Sequence, residues 1–337
     1  MEQPEGFVKH GEEDKVYLLR KALYGLKQAP RAWYSRINDH LLSIGFTKSL
    51  SEFTLYVKDK GNSFLIVSLY VDDLLVIGDD TKLIDEFKQE MMQAFEMTDL
   101  GLMTYFLGIE IKQSENQVFI CQRKYAKEIL RKFQMDECKA VSTPMNQREK
   151  FIKEDGADKV DEGYYKSLIG CLMYLTATRP DIIFVVSLLY RFMHCASEVH
   201  LRAAKRILRY VKGTLDYGVK FEKCTNFKLC GFSDSDWAGS YDDMKSTSGY
   251  CFNLGSGVFS WCTKKQEIVA QSTAEAEFIA ATAAVNQVLW LKKILYDLHF
   301  EQKNKIKVFV DNQAAIAIAN NPVCHGKTKH FNIKLYF

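Results

Sequence analysis

The chain has 337 residues, of which 47% are hydrophobic and 26% charged, and its net charge is +3. This balance is typical of a globular protein with domains of about 100–200 residues each, and the small net charge excludes a protein that binds polyanions over its whole surface. Nine cysteines without a CxxC pair argue against a disulfide framework or a cysteine-rich zinc site. Without a targeting pattern or an apolar run of membrane length, we expect an intracellular protein, cytoplasmic or nuclear, with no membrane partner.

The first third of the chain is predicted to alternate between helices and strands. Residues 18–46 are predicted to be helical after a turn, because Trp33, Ile37 and Leu41 recur at helical spacing and Pro30 is tolerated near a helix start. Apolar runs rich in β-branched and aromatic residues then indicate strands. The strands are predicted at 53–58, 64–71 and 74–78, an amphipathic helix at 81–95, a hairpin at 105–122 and another helix at 125–133.

The rest of the chain changes character twice. Residues 142–163 are polar and charged and are predicted to be a linker, and residues 164–214 are predicted to be helical except at the TRPD break, 178–181. Beyond Lys228, strands, an alanine-rich helix, a strand and a helix predict an α/β domain. The strands are predicted within 230–239, 249–261, 267–271 and 305–311, and the helices at 273–295 and 312–321.

Two adjacent acids, Asp72 and Asp73, separate two apolar runs. A hairpin turn is one interpretation, although tight two-residue turns prefer Gly or Asn, which are absent here. A metal site is the other, because neighbouring carboxylates repel by as much as about 4 kcal/mol at close approach and a divalent cation removes this repulsion. The two residues alone support both interpretations equally.

The surrounding segments carry a family resemblance. YVDD at 70–73 resembles the catalytic hairpin of reverse transcriptases, and further segments resemble copia-type retrotransposon Pol polyproteins in the family's order. These segments are QPEGF, KALYGLKQAPRAWY, LYVDDLLVIG, DLGLMTYFLGIEI, STPM, TRPDI and AAKRILRYVKGT. The resemblance implies an α+β and α/β multidomain fold. Residues 1–141 would form a partial polymerase palm and thumb, 142–227 a linker and helical connection, and 228–337 an RNase H-like α/β domain.

The resemblance also implies roles for particular residues. Asp72 and Asp73 would hold catalytic Mg²⁺, with Mn²⁺ as a possible substitute, for nucleotidyl transfer. Lys27 and Gln28 would approach the incoming nucleoside triphosphate and the RNA template, and YFLGIEI would grip the DNA primer. Without the resemblance, KALYGLKQAP would be interpreted as a capped surface helix and YFLGIEI as an ordinary sheet edge.

A cluster of basic residues is predicted on one face of a helix near residue 206. Its five members recur at helical spacing and are Arg202, Lys205, Arg206, Arg209 and Lys212. A solvated charged face is the ordinary interpretation for such a stripe. The absence of interleaved acids and the family resemblance favour contact with the phosphates of a nucleic acid duplex.

Three further acids, Asp234, Glu277 and Asp311, lie far apart in the sequence. Each has a plain explanation, as a turn residue, a helix-start acid and a helix N-cap. Together they resemble the metal-binding acids of copia-type RNase H, which cleaves RNA in RNA–DNA hybrids with two metal ions. Asp236 and Glu275 are the neighbouring alternatives, and the family pattern favours Asp234 and Glu277.

The resemblance leads to one negative expectation. The family places another polymerase Asp upstream of QPEGF and a last RNase H Asp downstream of the KH-x-x-I motif, and it commonly has Asp where Asn332 stands. With one carboxylate missing from each site, we expect little or no catalytic activity from this chain. The alternative function is a non-catalytic, nucleic-acid-binding remnant of a transposable element.

Overall fold

The computed structural model describes residues 2–19, 22–23, 25–61, 63–146, 149–224 and 227–320. The chain divides into two compact units. The first comprises the described residues up to Asp99 together with Lys292–Glu301, and the second comprises Leu100–Leu291 and the described residues from Gln302 onward. Both units combine helices with antiparallel sheets, which confirms the mixed character of the predicted fold.

The first unit is a four-stranded antiparallel sheet in the order β1-β2-β3-β4, with two helices. Its elements are α1 (Ala29–Ser43), β1 (Thr47–Lys48), β2 (Leu55–Asp59), β3 (Phe64–Tyr70), β4 (Asp73–Gly78) and α2 (Thr81–Ala94). Helix α1 begins eleven residues later than predicted, because Pro30 occupies its first turn and the described residues before Ala29 are turns or irregular.

The apolar stripe of each helix in the first unit packs on the sheet. Ile37 and Leu41 of α1 and Phe87 and Met91 of α2 are almost fully buried in one core with the sheet residues. The spacing of four positions within each pair places the two residues on one face of the helix. The predicted amphipathic helix 81–95 is therefore confirmed, and Asp80 caps it by accepting a hydrogen bond from the Lys82 backbone.

The second unit contains two more four-stranded sheets and a helical layer. Its elements are β5 (Tyr105–Phe106), β6 (Ile109–Ser114), β7 (Gln117–Cys121), α3 (Arg123–Lys132), α4 (Glu162–Leu175), a 3₁₀ turn (Pro180–Ile182), α5 (Ile183–Tyr190), α6 (Glu198–Gly213), β8 (Gly218–Glu222), β9 (Leu229–Ser235), β10 (Thr247–Leu254), β11 (Gly257–Lys265), α7 (Thr273–Asp297), β12 (Lys307–Phe309) and α8 (Gln313–Asn320). The last residues of α7, from Lys292 onward, are counted with the first unit. Helices α3 to α6 share one hydrophobic core.

The two sheets of the second unit differ in direction. One is antiparallel throughout, in the order β5-β6-β7-β8, and β8 was not predicted. The other has the order β11-β10-β9-β12, with β12 parallel to β9. The predicted strand at 267–271 is wrong: these residues are irregular, and the Gln271 backbone donates to the side chain of Glu275 in the first turn of α7.

The polar segment predicted as a linker is fastened to the second unit. Phe151 is buried against Phe192 and His200, and the Lys153 backbone donates to Asp242 over 3.1 Å. A large aromatic residue within a polar run anchors the run to the helical core. The division of the chain into two compact units does not test the three predicted domains, which remain a prediction.

One described helix, α7, is long and apolar enough to cross a membrane by length and composition. Helices in the cores of globular proteins pass the same test, and Ala276, Ala280 and Ala284 of α7 are fully buried. The expectation that no apolar run reaches membrane length is therefore wrong for α7, as judged by length and composition only.

Candidate functional site

Three acids that are distant in sequence meet at one edge of the mixed sheet. Phe232 of β9 pairs with Phe309, the last residue of parallel β12. Asp234 on β9 and Asp311, two residues beyond the end of β12, therefore lie at the same edge of the sheet. Glu277 lies in the first two turns of α7. One carboxylate oxygen from each of the three residues lies within 4.8 Å of the others. The structure thus brings together the three acids that the sequence could only group by resemblance.

The environment of Glu277 is unfavourable for a bare carboxylate. Glu277 is 6% exposed, and its Oε1 atom accepts a hydrogen bond of 3.2 Å from the Ser235 backbone N–H. Its Oε2 atom is buried and has no hydrogen-bond donor among the described residues. Burial is the largest cause of a rise in the pKa of Glu277 to about 7; the hydrogen bond from Ser235 opposes this rise, and the charges of Asp234 and Asp311 contribute to it.

This donor set fits a hard divalent cation. Carboxylate oxygens are the ligands that Mg²⁺ and Mn²⁺ prefer. A buried carboxylate oxygen that accepts no hydrogen bond has a desolvation cost, which a bound cation offsets. Two of the three acids are exposed, which leaves the cluster open to solvent on one side. The residues present can therefore hold a metal ion that remains accessible to a substrate.

The neighbouring acids have other partners. Asp236 accepts a hydrogen bond from the Thr247 backbone; burial raises its pKa, which the charge of Arg191 partly offsets. Glu275 is 2% exposed and accepts from the Gln271 backbone. Both acids accept hydrogen bonds from the local backbone, and neither belongs to the group of three acids whose oxygens lie within 4.8 Å of one another.

The other acidic pair lies at the tip of a tight hairpin. Tyr70 pairs with Asp73, so that Val71 and Asp72 alone form the turn, and both aspartates are exposed. Val71 adopts a φ of 53°, a conformation that costs a β-branched residue about 1–3 kcal/mol. The indole nitrogen of Trp33 donates to the Val71 carbonyl over 2.8 Å. Asp72 and Asp73 are thus held at a strained turn, and no third acid joins them within the part of the chain that the structure describes.

Comparison with known proteins decides the family. A family model described as reverse transcriptase (RNA-dependent DNA polymerase) matches residues 1–147. The chain is 39% identical, over its whole length, to 23% of the retrovirus-related Pol polyprotein from transposon RE1 of Arabidopsis thaliana. It is 38% identical, again over its whole length, to 26% of the corresponding polyprotein from transposon TNT 1-94 of Nicotiana tabacum. With 86% of its length it matches 94% of a putative transposon Ty5-1 protein of Saccharomyces cerevisiae at 32% identity.

The chain belongs to the copia-type retrotransposon Pol polyproteins. It spans about a quarter of the length of the two plant polyproteins. The family model covers the hairpin of Asp72 and Asp73 but ends before the cluster of Asp234, Glu277 and Asp311. The roles of these residues stay predictions.

The polymerase segment that precedes the hairpin is only partly described. Lys27 and Gln28 are exposed in the turn just before α1, and residues 21 and 24 of the same segment lie outside the described residues. Trp33, at the end of this segment, makes the contact with Val71. The spacing of apolar residues placed Trp33 only on a helical stripe, and its side chain in fact links the KALYGLKQAPRAWY segment to the YVDD hairpin.

The basic face of α6 is largely engaged within the protein. Arg206 donates to the Thr143 hydroxyl over 2.9 Å, Arg209 donates to the Lys139 carbonyl over 2.8 Å, and Lys212 donates to the Asp136 carbonyl. These contacts hold the segment 136–143 against the helix. Arg202 is exposed, and neither it nor Lys205 has a polar partner within the described parts of the chain.

Two further predictions concern segments near sheet edges and the chain's end. YFLGIEI forms β5, a turn with positive φ at Leu107 and Gly108, and the start of β6. Strand β6 pairs antiparallel with β7, which confirms the hairpin predicted at 105–122. The segment KTKHFNIKLYF, including Asn332, lies outside the described residues.

Proposed function

We propose that this chain supplies reverse transcriptase and ribonuclease H parts of a copia-type Pol polyprotein, and that Asp234, Glu277 and Asp311 form its hydrolytic metal site. The observation that carries this proposal is that one oxygen from each of three carboxylates lies within 4.8 Å of the others, and that Glu277 among them has a buried oxygen without a hydrogen-bond donor. Such a concentration of negative charge is unfavourable unless cations or protons bind there.

The proposed substrate is the RNA strand of an RNA–DNA hybrid. A pair of Mg²⁺ or Mn²⁺ ions supplies an activated water and stabilises the leaving oxygen when bound. Asp234 and Asp311 are exposed, whereas Glu277 is buried and its Oε2 atom accepts no hydrogen bond from the described residues. The Ser235 backbone orients Glu277 by donating to its other oxygen.

For the polymerase portion, we propose that Asp72 and Asp73 bind divalent metal for nucleotide addition to a DNA primer on an RNA template. The exposed tip leaves both carboxylates accessible, and Trp33 restrains it. Since no third acid joins this pair among the described residues, we expect weak metal binding at the hairpin and little or no primer extension by the purified chain.

Nucleic acid contact is proposed for the exposed part of the α6 face. Arg202 and Lys205 lack partners in the described chain, so their charges are available to phosphates. Arg206, Arg209 and Lys212 have structural contacts that compete with such a role. A non-catalytic nucleic-acid-binding function rests on the same two residues and needs no metal.

The decisive experiment is calorimetric titration of the purified chain with Mn²⁺, followed by assay of hybrid cleavage. We expect binding that Asp234→Asn and Asp311→Asn each abolish, and slow cleavage that depends on the same residues. Glu267→Gln is the matched control, because this acid is exposed and lies outside the cluster. Absence of Mn²⁺ binding that depends on Asp234, together with intact hybrid binding through Arg202, would favour the non-catalytic function instead.

A further inference from the structure

The side chain of Gln266 links three elements around the carboxylate cluster. Gln266 follows β11 directly and is 5% exposed. Its Nε2 atom lies 2.9 Å from the Ala276 carbonyl, 2.9 Å from the Ser248 hydroxyl and 3.1 Å from the Ser235 hydroxyl. One buried amide therefore contacts α7, β10 and the end of β9.

The orientation of this amide is determined by its partners. A carbonyl can only accept, so the amide nitrogen rather than the oxygen must face Ala276. The Ser235 hydroxyl lies within donating distance of the Asp236 and Thr247 carbonyls, which leaves its lone pairs for Gln266. The two amide hydrogens are shared among three acceptors, and the amide oxygen has no partner among the described residues. The side chain is thus fixed by donation alone.

Two of these contacts are adjacent to candidate metal ligands. Ala276 immediately precedes Glu277 on α7, and Ser235 immediately follows Asp234 on β9. The Ser235 backbone N–H also donates a hydrogen bond to Glu277 Oε1, which connects β9 directly to α7. Gln266 therefore contacts the chain neighbours of two of the three acids, on two separate elements, and none of these three hydrogen bonds is made to a carboxylate.

We propose that Gln266 is a positioning residue, whose buried amide sets the separation between Asp234 on β9 and Glu277 on α7. This inference rests on the proposed metal site and adds a residue that acts through Ser235 and Ala276. Partners of this kind, which orient metal ligands without touching the metal, typically change metal affinity by 10–100-fold when they are removed.

The test compares Gln266→Met with Gln287→Met in the full chain. Methionine keeps the length of glutamine but donates no hydrogen bond. Gln287 is a matched control because it also joins α7 to β11, through the Ser260 hydroxyl, about 15 Å along the helix from Glu277 by helical rise. We expect Gln266→Met to weaken Mn²⁺ binding at least about 10-fold and Gln287→Met to leave it unchanged.

A second readout needs no metal. The Ser235 amide proton reports the contact with Glu277, so its hydrogen exchange measured by NMR should accelerate in Gln266→Met relative to the amides of β10 and stay unchanged in Gln287→Met. If Gln266→Met does not fold, Ser235→Ala removes one acceptor of the same amide and should weaken Mn²⁺ binding to a smaller extent.

Unchanged Mn²⁺ affinity and unchanged relative exchange at Ser235 in a folded Gln266→Met protein would overturn the proposal. Failure of the metal site is a separate result: the unaltered chain would then show no Mn²⁺ binding that depends on Asp234. In that case the exchange at Ser235 still decides whether Gln266 positions Glu277.

Discussion

The two acidic sites of this chain are built in opposite ways. Asp72 and Asp73 are neighbours in sequence, exposed, and carried by one hairpin. Asp234, Glu277 and Asp311 come from two parallel strands and a helix, and one of them is buried. At the hairpin, water screens the charges and the strain is in the backbone. In the cluster, burial makes the charges themselves costly, and a bound cation would stabilise the fold.

This contrast predicts a difference in how metal affects stability, and it is the largest effect that we expect. A divalent ion at about 100 times its dissociation constant stabilises a folded protein by about 2.7 kcal/mol. We expect Mn²⁺ to raise the free energy of unfolding of the chain, Asp234→Asn to remove most of this increase, and Asp72→Asn to retain it. Denaturant titration with and without Mn²⁺ measures all three. Equal losses in the two variants would contradict the contrast.

The second prediction concerns pH. Burial raises the pKa of Glu277 from 4.5 to about 7, so the folded protein binds a proton that the unfolded chain releases between these values. The free energy of unfolding of the metal-free protein should therefore fall as pH rises through this window. Glu277→Gln should remove that part of the fall, while Asp72→Asn should leave it in place. Denaturant unfolding at pH 4.5, 6 and 7.5 checks this, and parallel profiles for the unaltered protein and Glu277→Gln would contradict it.

The third prediction concerns the restraint on the hairpin. Trp33→Phe keeps an aromatic ring but removes the hydrogen bond to the Val71 carbonyl. We expect a loss of about 1 kcal/mol in the free energy of unfolding and no change in Mn²⁺ affinity at the cluster. Thermal unfolding and calorimetry provide the two measurements. A loss of cluster affinity in this variant would show that the two sites are not independent.

The smallest effect on stability is expected at α6. Replacing both Arg202 and Lys205 by serine should change the free energy of unfolding by less than about 0.5 kcal/mol. The slope of the logarithm of the duplex-binding constant against the logarithm of the salt concentration should become less steep by about 0.9 for each phosphate contact that is lost. Arg209→Ser is the comparison, since it removes the bond to the Lys139 carbonyl and should lower stability with little change in salt dependence. The reverse pattern would assign the phosphate contacts to Arg209.

Local sequence predicted most elements of the fold because their patterns are strong. Strands β2 to β4 and helix α2 agree with the predicted ranges within one or two residues, since apolar runs rich in β-branched and aromatic residues and a clear apolar stripe leave little choice. Strand β8 was missed because GVKFE has a weak pattern and is stabilised by pairing with β7, which is distant in sequence. The strand predicted at 267–271 does not form, because the Gln271 backbone N–H donates a hydrogen bond to the side chain of Glu275 at the start of α7 instead of pairing with another strand.

The candidate site was predictable in its members but not in its geometry. The residue types and the family resemblance selected Asp234, Glu277 and Asp311, while only the parallel pairing of β9 with β12 brings two of them to one edge. The basic stripe on α6 was predicted correctly as a face, but its neighbours were not. Nothing in the local pattern indicates that the segment 136–143 supplies the hydrogen-bond acceptors of Arg206 and Arg209.

The pairing of β7 with β8 sets an order of events during synthesis. About a hundred residues separate the two strands, and closing such a loop is slow relative to forming the local β6–β7 hairpin. Until β8 leaves the ribosome, β7 presents an unpaired edge, which invites pairing with other chains. Stalled products that stop after α6 should therefore self-associate more than products that reach Glu222, a difference that light scattering of the two lengths can measure.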